Sequence, residues 1–83
     1  MRLVYFAAVR EAIGVASETY DLPTHVRTID DMIDWLAGQS SGYALAFQDK
    51  SRLRFALDQA MVPLDAALGE AHELAIFPPV TGG

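Results

Sequence analysis

With 83 residues the chain has room for one small domain and no second core, and its 52% apolar content suffices to bury one. The absence of cysteine removes a disulfide framework, a thiolate metal site and a cysteine nucleophile together. A net charge of −5 with scattered basic residues argues against nucleic acid, whose phosphates require clustered Lys and Arg.

The opening "MRLVYFAAVREAIG" has one positive charge and then an apolar run too short to span a membrane. No small-residue cleavage site follows, so neither a secretion signal nor a membrane anchor is expected, and the cytoplasm is the default compartment. Arg2 to Ala8 is rich in β-formers and reads as a first strand. Ser17 to Leu22 is a more polar second strand ended by Pro23, and the loop between them, containing Gly14, predicts an antiparallel hairpin. "TIDDMIDWLAGQ" is the clearest element. Thr28 and Asp31 resemble a capping box, Ile29, Met32, Ile33, Leu36 and Ala37 recur at helical spacing, and Gly38 supplies the stop. Trp35 lies off that stripe, and whether it covers a core edge or stays partly exposed is open. Tyr43 and Phe47, four apart, suggest a short second helix.

Arg52 to Leu57 alternates, with Leu53, Phe55 and Leu57 on one face of a half-buried strand. Asp58-Gln59-Ala60 turns into a short strand around Met61 and Val62. Pro63 to Glu70 is irregular, and His72 to Phe77 forms a last strand. The order is β-β-α-β-β-β with an extra short helix. This is an α+β domain in which one amphipathic helix crosses one face of a mixed sheet of about five strands.

A sheet covered on one side should have one apolar and one polar face. In the first strand Leu3 and Tyr5 share one face, while Arg2, Val4 and Phe6 share the other. Arg2 marks its face as the open one. In the last strand Leu74 and Ile76 suit the core, leaving Ala75 and Phe77 outside. Two exposed aromatics on strands able to neighbour each other imply an apolar patch for a partner. The alternative is a loop or the second helix lying over one or both.

The chain ends "AIFPPVTGG". Pro78 and Pro79 cannot donate to a sheet ladder, so the strand must stop there. Residues 1–77 then form the domain and 78–83 an extended tail, an arm of roughly 19 Å at polyproline rise. Gly82 and Gly83 lack side chains and can enter a channel too narrow for other residues. The arrangement suits a terminus that is itself the reactive group: adenylation by ATP would give its carboxylate a good leaving group, and a sulfur nucleophile could then form a thiocarboxylate. The competing reading is a frayed tail that ends in glycine.

Taken together, these residues resemble the small, sulfur-carrying subunit of molybdopterin synthase. The resemblance spans essentially the whole chain and is most specific in "ELAIFPPVTGG", with support from "FAAVREAIG" and "LRFALDQAMV". It implies a ubiquitin-like β-grasp fold and activation by an adenylating enzyme of the ubiquitin-activating type, which uses ATP. It also implies a large synthase subunit, in a heterotetramer, whose pocket receives the thiocarboxylated end. There the sulfur passes to a cyclic pyranopterin monophosphate to build the dithiolene that holds molybdenum. Carried onto this sequence, the sulfur sits on Gly83. Val80, Thr81 and Gly82 thread the partner's channel, and Phe6, Met61, Phe77, Pro78 and Pro79 face the large subunit with Arg10 nearby as an ionic contact. The turn that is commonly Asp-Gly-Asp-Glu in the family is Glu70-Ala71-His72-Glu73 here, and a frequent Asn is Asp58. Both departures bear on local loop geometry and leave the tail untouched.

No cofactor or metal is expected on this chain itself. His25 and His72 lack spacing with other ligands and read as surface or turn residues. Asp30, Asp31 and Asp34 read as a solvated helix face. Without a general base or obvious pocket the domain should not be an enzyme on its own, its catalytic groups lying in the large subunit. Two rival functions remain. One is a related Gly-Gly carrier, for thiamine or transfer-RNA thiolation or for conjugation to proteins. The other is a non-covalent binding module with an inert tail.

Overall fold

The computed structural model describes residues 1–79. Its elements in chain order are β1 (Arg2–Tyr5), α1 (Ala7–Ile13), β2 (Ser17–Thr19), α2 (Ile29–Ala37), α3 (Ser41–Ala46), a 3-10 turn (Lys50–Arg52), β3 (Arg54–Leu57), β4 (Ala60–Val62) and β5 (Glu73–Phe77). The five strands form one sheet in the order β2-β1-β5-β3-β4. β1 and β5 run parallel at its centre, and every other pair is antiparallel. This mixed sheet with α2 packed on one face is the expected β-grasp arrangement.

α2 forms where two local signals coincide. Asp31 N–H donates to Thr28 Oγ1 at 3.1 Å, and Thr28 N–H donates back to Asp31 Oδ2 at 3.2 Å, closing the capping box. Arg27 N–H adds a second bond to the same carboxylate at 3.1 Å, and these backbone donors hold the Asp31 carboxyl below its usual range. Ile29, Met32, Ile33 and Leu36 are all fully buried. They lie against Leu3, Tyr5, Phe55, Leu74 and Ile76 in one core. Each such side chain contributes on the order of 1.5–3 kcal/mol by leaving water. Gly38 closes the helix while keeping right-handed geometry, with φ −80°. Trp35 is half-buried, its ring edge-on to Tyr20 with centroids 5.3 Å apart.

Three expected boundaries shift, each for a physical reason. The first strand stops at Tyr5 rather than Ala8, because Ala7 adopts φ 51° and breaks the extended run. Ala7–Ile13 is then a helix in place of the expected hairpin loop, and Gly14 at φ 99° closes it by donating to Arg10 O at 2.8 Å. β2 ends at Thr19 because β1 begins at its partner Arg2, although Tyr20 N–H still donates to Met1 O at 3.0 Å. Arg52 falls in the 3-10 turn, where Asp49 Oδ1 accepts from Ser51 N–H at 3.1 Å, so β3 starts only at Arg54.

α3, the short helix suggested by Tyr43 and Phe47, packs on α1. Its Gly42 is required there, since a Cβ would lie 2.9 Å from the carbonyl oxygen of Ala12. The tyrosines around β2 form a polar seam inside this otherwise apolar layer. Leu3 pairs with Glu18, which turns Glu18 toward the core side. Its Oε2 accepts from Tyr5 Oη at 2.7 Å and also from Tyr43 Oη, while the Tyr20 and Tyr43 hydroxyls lie 2.9 Å apart. Burial, reinforced by the bond to Glu18, pushes the Tyr5 and Tyr43 hydroxyls well above the ordinary tyrosine range.

The β3–β4 hairpin turns on Asp58 and Gln59, both at positive φ (46° and 73°), as a two-residue hairpin of the favoured handedness requires. Asp58 Oδ1 then accepts from His72 N–H and Glu73 N–H, each at 3.0 Å, fixing the entry to β5. The Glu70–Glu73 segment lacks its family glycine, but Gly69 supplies φ 55° just before it, and Ala71 N–H closes a turn onto Leu68 O at 3.1 Å.

Candidate functional site

Cross-strand register assigns every side chain on the uncovered face. Met61 pairs with Ala56, Ala56 with Ala75, Ala75 with Val4 and Val4 with Ser17, giving one row across all five strands. Directly paired residues share a face, so this row lies opposite the buried Leu3, Tyr5, Leu74 and Ile76. Toward the end where β5 runs out, the next row holds Phe77 beside Arg54. Phe6 N–H donates to Ile76 O at 3.2 Å, which brings Phe6 alongside Phe77, and the rings meet edge to face with centroids 6.4 Å apart. At the opposite end Arg2 Nε and Glu73 Oε2 lie 3.9 Å apart. The open face therefore grades from polar at one end to apolar at the end from which the tail departs.

The apolar end of this face is open to solvent. Phe6 is 46% exposed and Met61 63%, with the small Ala56 and Ala75 between the aromatic pair and Met61. Among the described residues Phe6 stays exposed while Phe77 is half-buried, so the alternative of a cover over one or both aromatics is answered for Phe6 alone. Pro78 and Pro79 follow Phe77 directly, half-buried at the edge of a groove of about 710 Å³ that Ala8, Ala12, Leu45 and Arg52 also line. Val80, Thr81, Gly82 and Gly83 lie outside the described residues.

Arg10 is exposed on α1, one turn beyond Phe6, and its backbone N–H donates to Phe6 O at 3.3 Å. Among the described residues its guanidinium enters no ion pair. Arg54 is a site residue that the sequence reading did not single out. It stands beside Phe77 on the open face, its guanidinium donating, among the described residues, to the nearby carbonyls of Ser51 (3.1 Å) and Leu53 (2.8 Å). Alternation with Leu53 and Phe55 was the available signal. Leu45, 59% exposed beside the prolines, was also missed, because the short α3 shows too little periodicity to assign its faces.

His25 and His72 are exposed, and among the described residues no group of three or more His, Asp or Glu side chains is placed to hold a metal. No helix among them is long and apolar enough to cross a membrane. What the geometry offers is an apolar patch on the open face of the sheet that adjoins Pro78 and Pro79.

Comparison with known proteins points the same way. Residues 3–83 match the ThiS family. The molybdopterin synthase sulfur carrier subunit of Escherichia coli K12 is 35% identical over 83 residues, spanning 100% of this chain and 99% of that protein. The protein of the same name from Haemophilus influenzae is 36% identical with the same coverage. Among solved structures, SAMP1 from Haloferax volcanii superposes with a TM-score of 0.73 at 26% identity, covering 99% of this chain and 97% of that one. From end-to-end similarity to these relatives and the shared β-grasp sheet, the chain belongs to the ThiS family of ubiquitin-like proteins.

Proposed function

We propose that this chain is the sulfur carrier subunit of a molybdopterin synthase and that its working group is the carboxylate of Gly83. The observation that carries this reading is the full-length similarity to proteins of that name, with the family match running through residue 83. The apolar patch at the tail's root supports it, because a terminus that is passed between enzymes needs a docking face beside it.

The chemistry follows from the poor electrophilicity of a free carboxylate. Attack of the Gly83 carboxylate on the α-phosphorus of ATP, on an adenylating enzyme of the ubiquitin-activating type, releases pyrophosphate and leaves an acyl adenylate. A sulfur nucleophile then displaces AMP, and the thiocarboxylate is the sulfur source for cyclic pyranopterin monophosphate. Phe6, Phe77 and Met61 dock on the large subunit, Arg10 provides an ionic contact, and Pro78 and Pro79 stiffen the exit so that less freedom is lost when residues 80–83 enter a channel. In this reading the acid–base groups for pterin chemistry belong to the large subunit.

Deleting Gly83 tests the reading. The shortened chain should retain its fold and its affinity for the large subunit to within a few-fold while losing all sulfur transfer. Full activity after deletion would favour a non-covalent module. Recovery of Gly83 in isopeptide linkage to lysines of other proteins would favour a conjugating carrier.

A further inference from the structure

Lys50 is the sole lysine of the sequence, and the other five basic side chains are arginines. Lys50 Nζ lies 2.5 Å from Asp30 Oδ1 and 2.6 Å from Asp34 Oδ1, with the lysine side chain 33% exposed. Asp30 and Asp34 stand four apart on α2, which stacks them on one face, so the ammonium is gripped by two carboxylates of one helix. We propose that the Asp30–Lys50–Asp34 bridge shields the chain's one lysine from acylation by its own activated C-terminus, so that the carrier is not consumed by conjugation to itself. The proposal rests on the reading of Gly83 as an adenylated terminus.

An acyl adenylate is a mixed anhydride that any free amine can open. The lone pair of a neutral Nζ adds to the carbonyl carbon and the C–N bond forms. The C–O bond to the phosphate breaks, AMP leaves with the electron pair, and the proton shed by nitrogen passes to solvent. The product is an isopeptide, and its Gly83 can no longer accept sulfur. An ammonium has no lone pair to start this sequence. The hydrogen bonds from Asp30 and then Asp34 favour that protonated form and push the Lys50 pKa up. They also engage two of the three N–H donors of the ammonium. Composition points the same way. An arginine guanidinium stays protonated at any pH the protein meets and is not an acyl acceptor, so the five arginines are inert by chemistry, and the one other amine, the α-amine of Met1, donates to Tyr20 O at 3.0 Å. Lys50 is inert by its surroundings.

Two readouts test this on the full-length chain. The first needs no activating enzyme: sulfosuccinimidyl acetate is added at pH 8 and acetylation of the Lys50 peptide is timed by mass spectrometry. In Asp30→Asn/Asp34→Asn, with folding verified by circular dichroism, Lys50 should acetylate about three- to tenfold faster than in the unmodified chain, as expected for the loss of two partly exposed ion pairs. In a Gln48→Lys variant the introduced amine, at an exposed position, should outpace Lys50 within the same molecule by a similar factor. Equal rates in both comparisons would overturn the proposal.

The second readout adds the adenylating enzyme and ATP without a sulfur donor. The double variant should form a dimer linked from Gly83 to Lys50, the unmodified chain should not, and Lys50→Arg added to the double variant should abolish the dimer. As much linked dimer from the unmodified chain, or none from the double variant despite pyrophosphate release, would overturn the proposal. If no pyrophosphate is released from any form while the acetylation difference holds, the shielding stands and the reading of the tail is what has failed.

Discussion

Phe6 and Phe77 meet edge to face on the uncovered side of the sheet, with ring centroids 6.4 Å apart and planes at 85°. Phe6 follows a strand near the start of the chain and Phe77 ends the last one. The parallel pairing of β1 and β5 makes them neighbours at the point where Pro78 begins the tail. Phe6 is about half exposed and Phe77 half-buried, and aromatic side chains of this kind are enriched among interface anchors.

Phe6→Ala separates the interface role from the folding role. Losing an edge-to-face contact of a half-exposed ring costs the isolated domain about 0.5–1.5 kcal/mol. Losing an aromatic anchor from a buried interface weakens binding by at least about tenfold. Titration calorimetry against the large synthase subunit should therefore show a much higher Kd, with a thermal midpoint lowered by only a few degrees. An unchanged Kd would remove Phe6 from the docking face.

The seam around Glu18 predicts both a mutational and a pH effect. Glu18→Ala leaves the buried Tyr5 hydroxyl without its acceptor and should cost about 1–3 kcal/mol in urea unfolding. Tyr5 and Tyr43 are raised in the folded state, so above the unfolded tyrosine value of about 10 the unfolded chain releases protons that the native one keeps. Their contribution is present in full below about pH 10 and is lost as pH climbs beyond it. Absorbance at 295 nm should show these two tyrosines ionising only together with loss of the fold. Smooth ionisation of all three tyrosines of a folded protein near pH 10 would contradict this.

The capping box makes α2 sensitive at its first residue. Thr28→Ala should lower stability by about 1 kcal/mol, a drop of roughly 4–8 °C in Tm for a domain of this size. Asp31 is depressed by the backbone N–H groups of Arg27 and Thr28, so its share of the cap is intact above about pH 4 and fades as pH falls toward its lower native value. Melting curves at pH 7 and pH 3 check both statements. A Thr28→Ala protein as stable as its parent at pH 7 would show that the box carries little of the helix's stability.

What could be read without the structure depended on whether two signals coincided. α2 was legible because a cap at Thr28–Asp31 and an apolar stripe from Ile29 to Leu36 agreed, and β5 because alternation ended at a double proline. α1 was hidden because Phe6-Ala7-Ala8 prolongs the apolar run of β1, and the break is a positive φ at Ala7, where no glycine signals it. Alternation assigned Phe6 and Phe77 to the open face, but their contact depends on a parallel pairing between distant strands. The Glu18 seam was illegible for the same reason: its two donors arrive from β1 and α3, and a glutamate on a short polar strand reads as facing water.

The most direct test of the central claim is the intact mass of the protein after incubation with its adenylating enzyme, ATP and a persulfide donor. The account predicts a mass increase equal to the replacement of one oxygen by sulfur, located on the peptide that ends in Gly83 and absent when ATP is withheld. An unchanged mass, with an activating enzyme from the same cells shown to thiocarboxylate another carrier, would contradict it.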